Sequence, residues 1–503
     1  MPRVGDETDA GTPAGAADGD RRAGEPAAGD AAPRGIRALI ARHRALAVAA
    51  ALVAVALVGG GAVALGSALA GPPAAAPAPL PTETATPTPT PTPTPEAAPA
   101  ATEPPPRVRT CSVAALAADP RLANLQAQVM NAGTGEVLFD RGGLTASRTA
   151  SVMKVLTAAA ALAVFAPDHR FATTVVKGAE PGSAVLVGGG DLTLSRTPSG
   201  SETVYPGAAH LDDLARQVRA AWNADPSNPP LTKLVLDSSL FGGETWHASW
   251  DPAERELGYM PHITALMVDG DRQDPYANTS ARGADPVARA GQAFAAELGV
   301  GAVERGTAPS GAAELGRVWS PTVAQLVDKS LVVSDNTVAE MLARLVAIEQ
   351  GTGDSFAAID PAVREALATY GVARGGIRVV DGSGLSPDNA VPPAYLTRLF
   401  AKVDAREGHL GVILDGLPVS GQKGSLSYAD RFAGDNSVAD GAVLAKTGWI
   451  TTGYTLAGVI RAQDGTTLTF AIYALGDVTD AAKQAIDTLA TGFYRCGDEL
   501  ADG

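Results

Sequence analysis

The chain has 503 residues, 18% of them charged, and a formal net charge of −15. That balance argues against nucleic acid as the main partner, because phosphate binding needs a basic face. The six histidines show no metal-ligand spacing and the two cysteines stand far apart, so neither a metal nor a cofactor is expected.

Residues 1–44 begin rich in Gly, Ala, Pro and acidic groups and read as a disordered tail. The tail ends in "PRGIRALIARHR", with Arg34, Arg37, Arg42 and Arg44. An uncharged run, 45–70, follows, long enough at about 1.5 Å per residue to span a bilayer core of about 30 Å. The arginines on its N-terminal side place the tail in the cytoplasm and the rest of the chain outside. This predicts a single-pass signal-anchor. The alternative is secretion after cleavage near residue 70, because "ALGSALA" presents small residues before Gly71. Residues 71–108 form a Pro/Thr-rich linker containing "TPTPTPTPTP", a polyproline-type spacer with a reach on the order of 100 Å.

The folded region begins near 109 and is too long for one core. Cys111 nearly opens it and Cys496 nearly closes it. Domain termini often lie together, so a disulfide is expected in an oxidising compartment, with two free thiols as the alternative. "LQAQVMNAGTGEVLFDR" reads as two strands around a Gly-Thr-Gly turn. Next comes "TASVMKVLTAAAALAVF", an apolar helix beginning near Ser151 and carrying Lys154 in its first turn. Only Thr157 interrupts the run from Val155 to Phe165, so the helix is expected to be buried all round. An unpaired ammonium is costly there. Lys154 either reaches outward or is held inside for a purpose.

Residues 171–314 mix short strands ("SAVLVGGGD", "KLVLDSSLF") with helices and read as an insertion. In "DPVARAGQAFAAEL", Asp285 is the expected N-cap and Pro286 the first helical residue. Ser320-Pro321 is expected to cap a further helix, and "SDNTVAEMLARLVAIEQ" begins another. The chain ends with three strands, the first reaching Lys446-Thr447-Gly448 before a turn at Trp449, and a closing helix on which Ala482, Ile486, Leu489 and Phe493 share one face.

Serine is a poor nucleophile until a base takes its proton. Residues three apart on a helix are neighbours, so Ser151 Oγ and Lys154 Nζ meet on one face. The helix N-terminus favours negative charge developing at Ser151. Lys154 acts as a base only when neutral, a state that burial and a second cation promote. A second Ser-x-x-Lys, Ser420 and Lys423, lies among glycines in "LPVSGQKGSL" and reads as loop. Alone, Ser334 or Asp335 would be a helix cap and Lys446 a solvated edge charge.

Together the three segments, Ser151-x-x-Lys154, Ser334-Asp335-Asn336 and Lys446-Thr447-Gly448, resemble the penicillin-binding protein and serine β-lactamase superfamily. The long stretch between Ser151 and Ser334 narrows the resemblance to low-molecular-mass class C penicillin-binding proteins, the D-alanyl-D-alanine carboxypeptidase/endopeptidase family (peptidase family S13). "GTGEVLFDR", "VLVGGGDLTLS", "DGSGLS" at 381–386 and "LPVSGQKGSL" are similar to that family too. The resemblance implies an α+β, transpeptidase-like fold: an antiparallel sheet flanked by helices with an all-helical subdomain. The catalytic domain comprises 109–170 and 315–503, and 171–314 is a large inserted domain.

The resemblance also implies roles. Ser151 attacks the penultimate D-alanine carbonyl of a peptidoglycan stem peptide, with Lys154 as base. Ser334 relays a proton to the leaving amine, and Asn336 binds the substrate amide and orients Lys154. Lys446 and Thr447 hold the terminal carboxylate, Gly448 lets the peptide lie along the strand, and the backbone N–H groups of Ser151 and Trp449 form the oxyanion hole. β-Lactams acylate the same serine. Trp449 and Leu192 depart from the family pattern, which commonly has a small or hydroxylated residue and a proline there. A β-lactamase-like hydrolase and a non-catalytic wall-binding protein are the alternative readings.

Overall fold

The computed structural model describes residues 108–502. The expected tail, membrane segment and most of the linker lie outside them, and no helix among the described residues is long and apolar enough to cross a membrane.

The three strands between 443 and 475 belong to one five-stranded sheet. Strands β1 (Asn124–Asn131), β2 (Val137–Arg141), β8 (Val443–Ile450), β9 (Gly453–Arg461) and β10 (Thr467–Leu475) form an antiparallel sheet in the order β2-β1-β10-β9-β8. β9 and β10 are almost wholly buried, so they read as near-continuous apolar runs. Alternation still sorts their side chains: Leu456, Ile460, Phe470 and Ile472 pack with the closing helix, whereas Ala457, Val459, Ala471 and Tyr473 pack with the helical subdomain.

That subdomain contains α1 (Met153–Val164), α4 (Val323–Val332), α5 (Asn336–Glu349), α6 (Ile359–Ala368), α7 (Pro393–Asp404) and α8 (Gly411–Gly416). From Met153 to Leu162 every residue of α1 is buried, as its composition requires. The cap of α4 differs from expectation. Thr322 and Gln325 form a capping box, while Ser320 Oγ donates to Pro321 O and accepts the Phe171 N–H. Thr322 stands three residues before a glutamine, which lets each side chain satisfy the other's backbone N–H.

The closing helix, α9 (Ala481–Cys496), is fastened by a disulfide between Cys111 and Cys496, with Cα atoms 5.4 Å apart. Beside it Cys111–Ser112 pairs in parallel with Leu500–Ala501.

The inserted segment has its own mixed sheet, β3 (Ala172–Lys177), β4 (Ser183–Val187), β5 (Lys233–Asp237), β6 (Ala302–Arg305) and β7 (Glu314–Trp319), in the order β6-β5-β4-β3-β7. Helices α2 (Leu211–Asn223) and α3 (Pro286–Leu298) make the parallel crossovers and cover it with a separate apolar core. Asp285 caps α3 as expected. β7 continues past position 314, because it completes the inserted sheet by pairing with β3. The long connection from β5 to α3 runs to the helical subdomain, where its Arg272 pairs with Asp335 at the start of α5.

Candidate active site

Ser151 lies in a 3-10 turn (Ala150–Val152) that leads directly into α1. The three-residue spacing brings Lys154 Nζ to 2.8 Å from Ser151 Oγ. Lys154 is fully buried, and its other bonds go to Asn336 Oδ1 at 2.6 Å and the Ser383 carbonyl at 2.7 Å. Burial pulls its pKa down to about 8, against Asp381, Glu340 and Asp335, which favour the ammonium.

Ser334 has a left-handed backbone, φ +60°, at the entry to α5. Asp335 is the N-cap, accepting the Val338 N–H and pairing with Arg272 at 2.8 Å. Burial opposes its charge, but Arg272 and Arg282 hold its pKa at about 2. Asn336 opens the helix, bonds Lys154 through Oδ1 and donates through Nδ2 to the Tyr259 carbonyl at 3.2 Å.

The Lys-Thr-Gly segment lies on β8, the sheet's edge. The strand runs on through Trp449 to Ile450, so the turn falls at Thr451–Thr452 rather than at Trp449. An aromatic residue suits an extended backbone, and Trp449 pairs with Tyr454 across the hairpin. Lys446 is buried, with Nζ bonded to Ser334 Oγ at 2.9 Å and to the Thr447 carbonyl at 2.7 Å. Burial, then the charges of Lys154 and Arg431, set its pKa well below the ordinary lysine value. The second cation anticipated beside Lys154 is Lys446, and the repulsion between the two ammonium groups lowers the Lys446 pKa. Thr447 Oγ1 lies 2.7 Å from Ser425 Oγ.

The structure gives Gly448 a packing reason of its own. A Cβ there would sit 2.2 Å from Thr455 Oγ1, 2.8 Å from the Thr149 carbonyl and 2.9 Å from the Ser151 nitrogen. Its missing side chain lets β8 press against the turn that carries Ser151.

The structure adds residues to which the sequence reading gave no role. In the loop 381–386 the Ser383 carbonyl is aimed at Lys154, and Glu340 holds that loop by accepting the Ser383 N–H at 2.7 Å and the Gly382 N–H at 3.1 Å. Burial, then Asp381, pushes Glu340 up to about 7. Asp381 accepts from the Gly384 and Ser386 backbones and from Asn389 and Trp250 side chains. "DGSGLS" was the available signal for the loop. Glu340 lies one helical turn beyond Asn336 on the same helix. The second Ser-x-x-Lys does not join the site: Ser420 Oγ donates to the Ala439 carbonyl, and Lys423 pairs with Asp328.

Ser151, Ser334, Asn336, Thr447, Gly448 and Trp449 line one cleft of about 710 Å³, together with Tyr259, Arg272, Tyr428 and Arg431. Trp449 is 52% exposed, its ring centroid 6.3 Å from that of Tyr454. Leu192 is buried in the core and takes no part in the hydrogen bonds of Ser151.

The model of the D-Ala-D-Ala carboxypeptidase 3 (S13) family matches residues 110–296 and 272–493. A carboxypeptidase DacB of Mycolicibacterium smegmatis is 37% identical over 407 residues, covering 79% of this chain and 86% of that one. A carboxypeptidase of Mycobacterium tuberculosis is 36% identical over 393 residues, covering 77% and 84%. Penicillin binding protein 4 of Haemophilus influenzae superposes with a TM-score of 0.61 at 20% identity, over 74% of this chain and 96% of that one, a likeness of fold.

Proposed function

We propose, for a chain that belongs to the D-Ala-D-Ala carboxypeptidase 3 (S13) family, how its residues carry out the work of a serine DD-peptidase on peptidoglycan. Ser151 is the nucleophile. Its Oγ attacks the penultimate D-alanine carbonyl while its proton passes to Lys154. Collapse of the tetrahedral intermediate forms an ester to Ser151 and expels the terminal D-alanine, whose nitrogen takes, by way of Ser334, the proton that Lys154 had accepted, which leaves Lys154 neutral. Water then cleaves the ester with Lys154 again as base, restoring the enzyme. Penicillins enter the first half of the cycle by acylating Ser151.

The observation that carries this assignment is the trio of acceptors around Lys154 Nζ. A neutral amine has two N–H groups and one lone pair. With the N–H groups directed at Asn336 Oδ1 and the Ser383 carbonyl, the lone pair faces Ser151 Oγ–H. A pKa near 8 leaves part of the population neutral at pH 7, which a base requires. A purely binding protein has no use for such an arrangement.

For Lys446 the geometry supports a place in the proton path to Ser334 over direct contact with substrate, because its Nζ is already occupied by Ser334 and the Thr447 carbonyl. The hydroxyls of Thr447 and Ser425 are then the groups offered to the terminal carboxylate. The Ser151 and Trp449 N–H groups would bind the oxyanion, and the Trp449 ring would wall the substrate channel. The uncharged run at 45–70 and the proline-rich spacer support an extracytoplasmic enzyme on a single membrane anchor, which membrane fractionation with external protease would test.

Covalent labelling by a fluorescent penicillin tests the central assignment. Ser151→Ala is expected to label no longer while keeping its fold. A labelled Ser151→Ala protein would refute the assignment.

A further inference from the structure

We propose that the inserted segment is a working part of the catalytic centre: its loop, residues 244–282, positions both acceptors that orient Lys154. The inference rests on the reading of Lys154 as base.

The first acceptor is the Asn336 amide. Its Oδ1 faces Lys154 while its Nδ2 donates to the Tyr259 carbonyl of the loop, which fixes the amide plane from its other end. With the amide turned over, its NH₂ would confront the Lys154 N–H groups. The loop also grips the residue before it. Arg272 pairs with Asp335 at 2.8 Å, both side chains being 2% exposed. The second acceptor is the Ser383 carbonyl, in the loop that Asp381 organises. Trp250 Nε1 donates to Asp381 Oδ2 at 2.8 Å, and Ser249 Oγ donates to Ser386 Oγ at 2.7 Å. A single stretch of the insertion therefore reaches each of the two segments flanking Lys154.

The loop is built to hold a position. Asp269, Gly270 and Asp271 have successive left-handed φ values of 51°, 59° and 57°, a curl that non-glycine residues adopt only when the surroundings impose it. Inside the curl Arg272 donates to Tyr205 Oη, and Arg282 donates to the Gly270 and Gly258 carbonyls. Trp250 is wedged edge-on against Trp246 and Phe356, at 5.3 and 5.1 Å between centroids. Trp250 is thus a positioning residue, acting on Lys154 through Asp381 and Ser383.

Trp250→Phe keeps most of the ring packing and removes one N–H. Acylation by benzylpenicillin should be followed by stopped flow, separating the non-covalent constant from the rate k2 and normalising k2 to labelled sites. The expected result is k2 lowered about tenfold, equivalent to about 1.4 kcal/mol, with the non-covalent constant unchanged. A merely structural tryptophan would lower the melting temperature yet leave k2 per labelled site at the parent value, and that result overturns the proposal. If Trp250→Phe yields no folded protein, Arg272→Met, Asp335→Asn and their double variant decide. Non-additive losses in k2 support the positioning role, and additive losses or none overturn it. Labelling of Ser151→Ala would instead strike the nucleophile assignment, so the two failures are distinguishable.

Discussion

The Gly448 α-carbon faces the backbone of Ser151 so closely that a methyl group on it would lie 2.9 Å from the Ser151 nitrogen. The same methyl would meet Thr455 Oγ1 and the Thr149 carbonyl. Two of these three neighbours are backbone and cannot rotate away. Gly448→Ala must push β8 off the nucleophile turn, which overpacking precedent places at about 1–3 kcal/mol of stability. Acylation should fall much further, about a hundredfold or more, because a displacement of about 1 Å at reacting groups costs that much. Calorimetry with penicillin-labelling rates checks both. Parent-like acylation would show that the strand yields without disturbing Ser151.

Acylation should depend on pH through Lys154. Its pKa of about 8 belongs to loss of the ammonium proton, and the neutral form is the base. The rate should therefore rise with pH, about tenfold per unit below 8, and level off above it. Lys154→Arg retains its charge at any working pH and should be nearly as inactive as Lys154→Ala. A pH-independent rate between 6 and 9 in the parent protein, or substantial activity in the arginine variant, would limit Lys154 to an electrostatic role.

The parts legible in the sequence were those that local spacing controls. Ser151 and Lys154 meet because a helical turn brings them together, and the apolar run from Val155 onward is buried as its composition requires. The hairpins and the Asp285 cap were legible for the same reason. Three features were not. The Ser383 contribution is a carbonyl, which every residue possesses and no motif marks. The Trp250–Asp381 bond joins positions 131 apart, and a single sequence carries no sign of that pairing. The side of Gly448 that needs to be bare depends on how β8 meets the nucleophile turn, a tertiary relationship.

Glu340 supplies a separable prediction. Its carboxylate accepts two backbone N–H groups of the loop that carries Ser383. In Glu340→Gln the amide NH₂ must face one of those N–H groups, so the loop shifts. The plateau of the acylation rate at pH 9, where Lys154 is neutral, should fall about tenfold, the scale of one lost hydrogen bond. The carboxylate also favours the Lys154 ammonium, so its removal should move the Lys154 inflection to lower pH. An unchanged plateau with only that displacement would mean that Glu340 acts on Lys154 through charge alone.

Lys446 separates substrate binding from proton transfer. Its Nζ is buried, bonds Ser334 Oγ at 2.9 Å and lies behind the Thr447 carbonyl that it also bonds. Its pKa, well below the ordinary lysine value through burial and the neighbouring charges of Lys154 and Arg431, makes proton release to Ser334 easier than for a solvated lysine. If Lys446 serves the leaving group, Lys446→Ala should slow acylation by a carboxylate-bearing substrate and by its neutral ester analogue to the same degree. If it held the carboxylate directly, the loss would fall on the carboxylate substrate alone, by roughly 1.5–3 kcal/mol or one to two decades. Thr447→Val provides the contrast. It deletes a hydroxyl bonded to Ser425 on the cleft wall and should penalise the carboxylate substrate selectively. The measurement is a pair of second-order acylation rates for each variant. A selective loss in Lys446→Ala, matched by an equal loss on both substrates in Thr447→Val, would exchange the two roles.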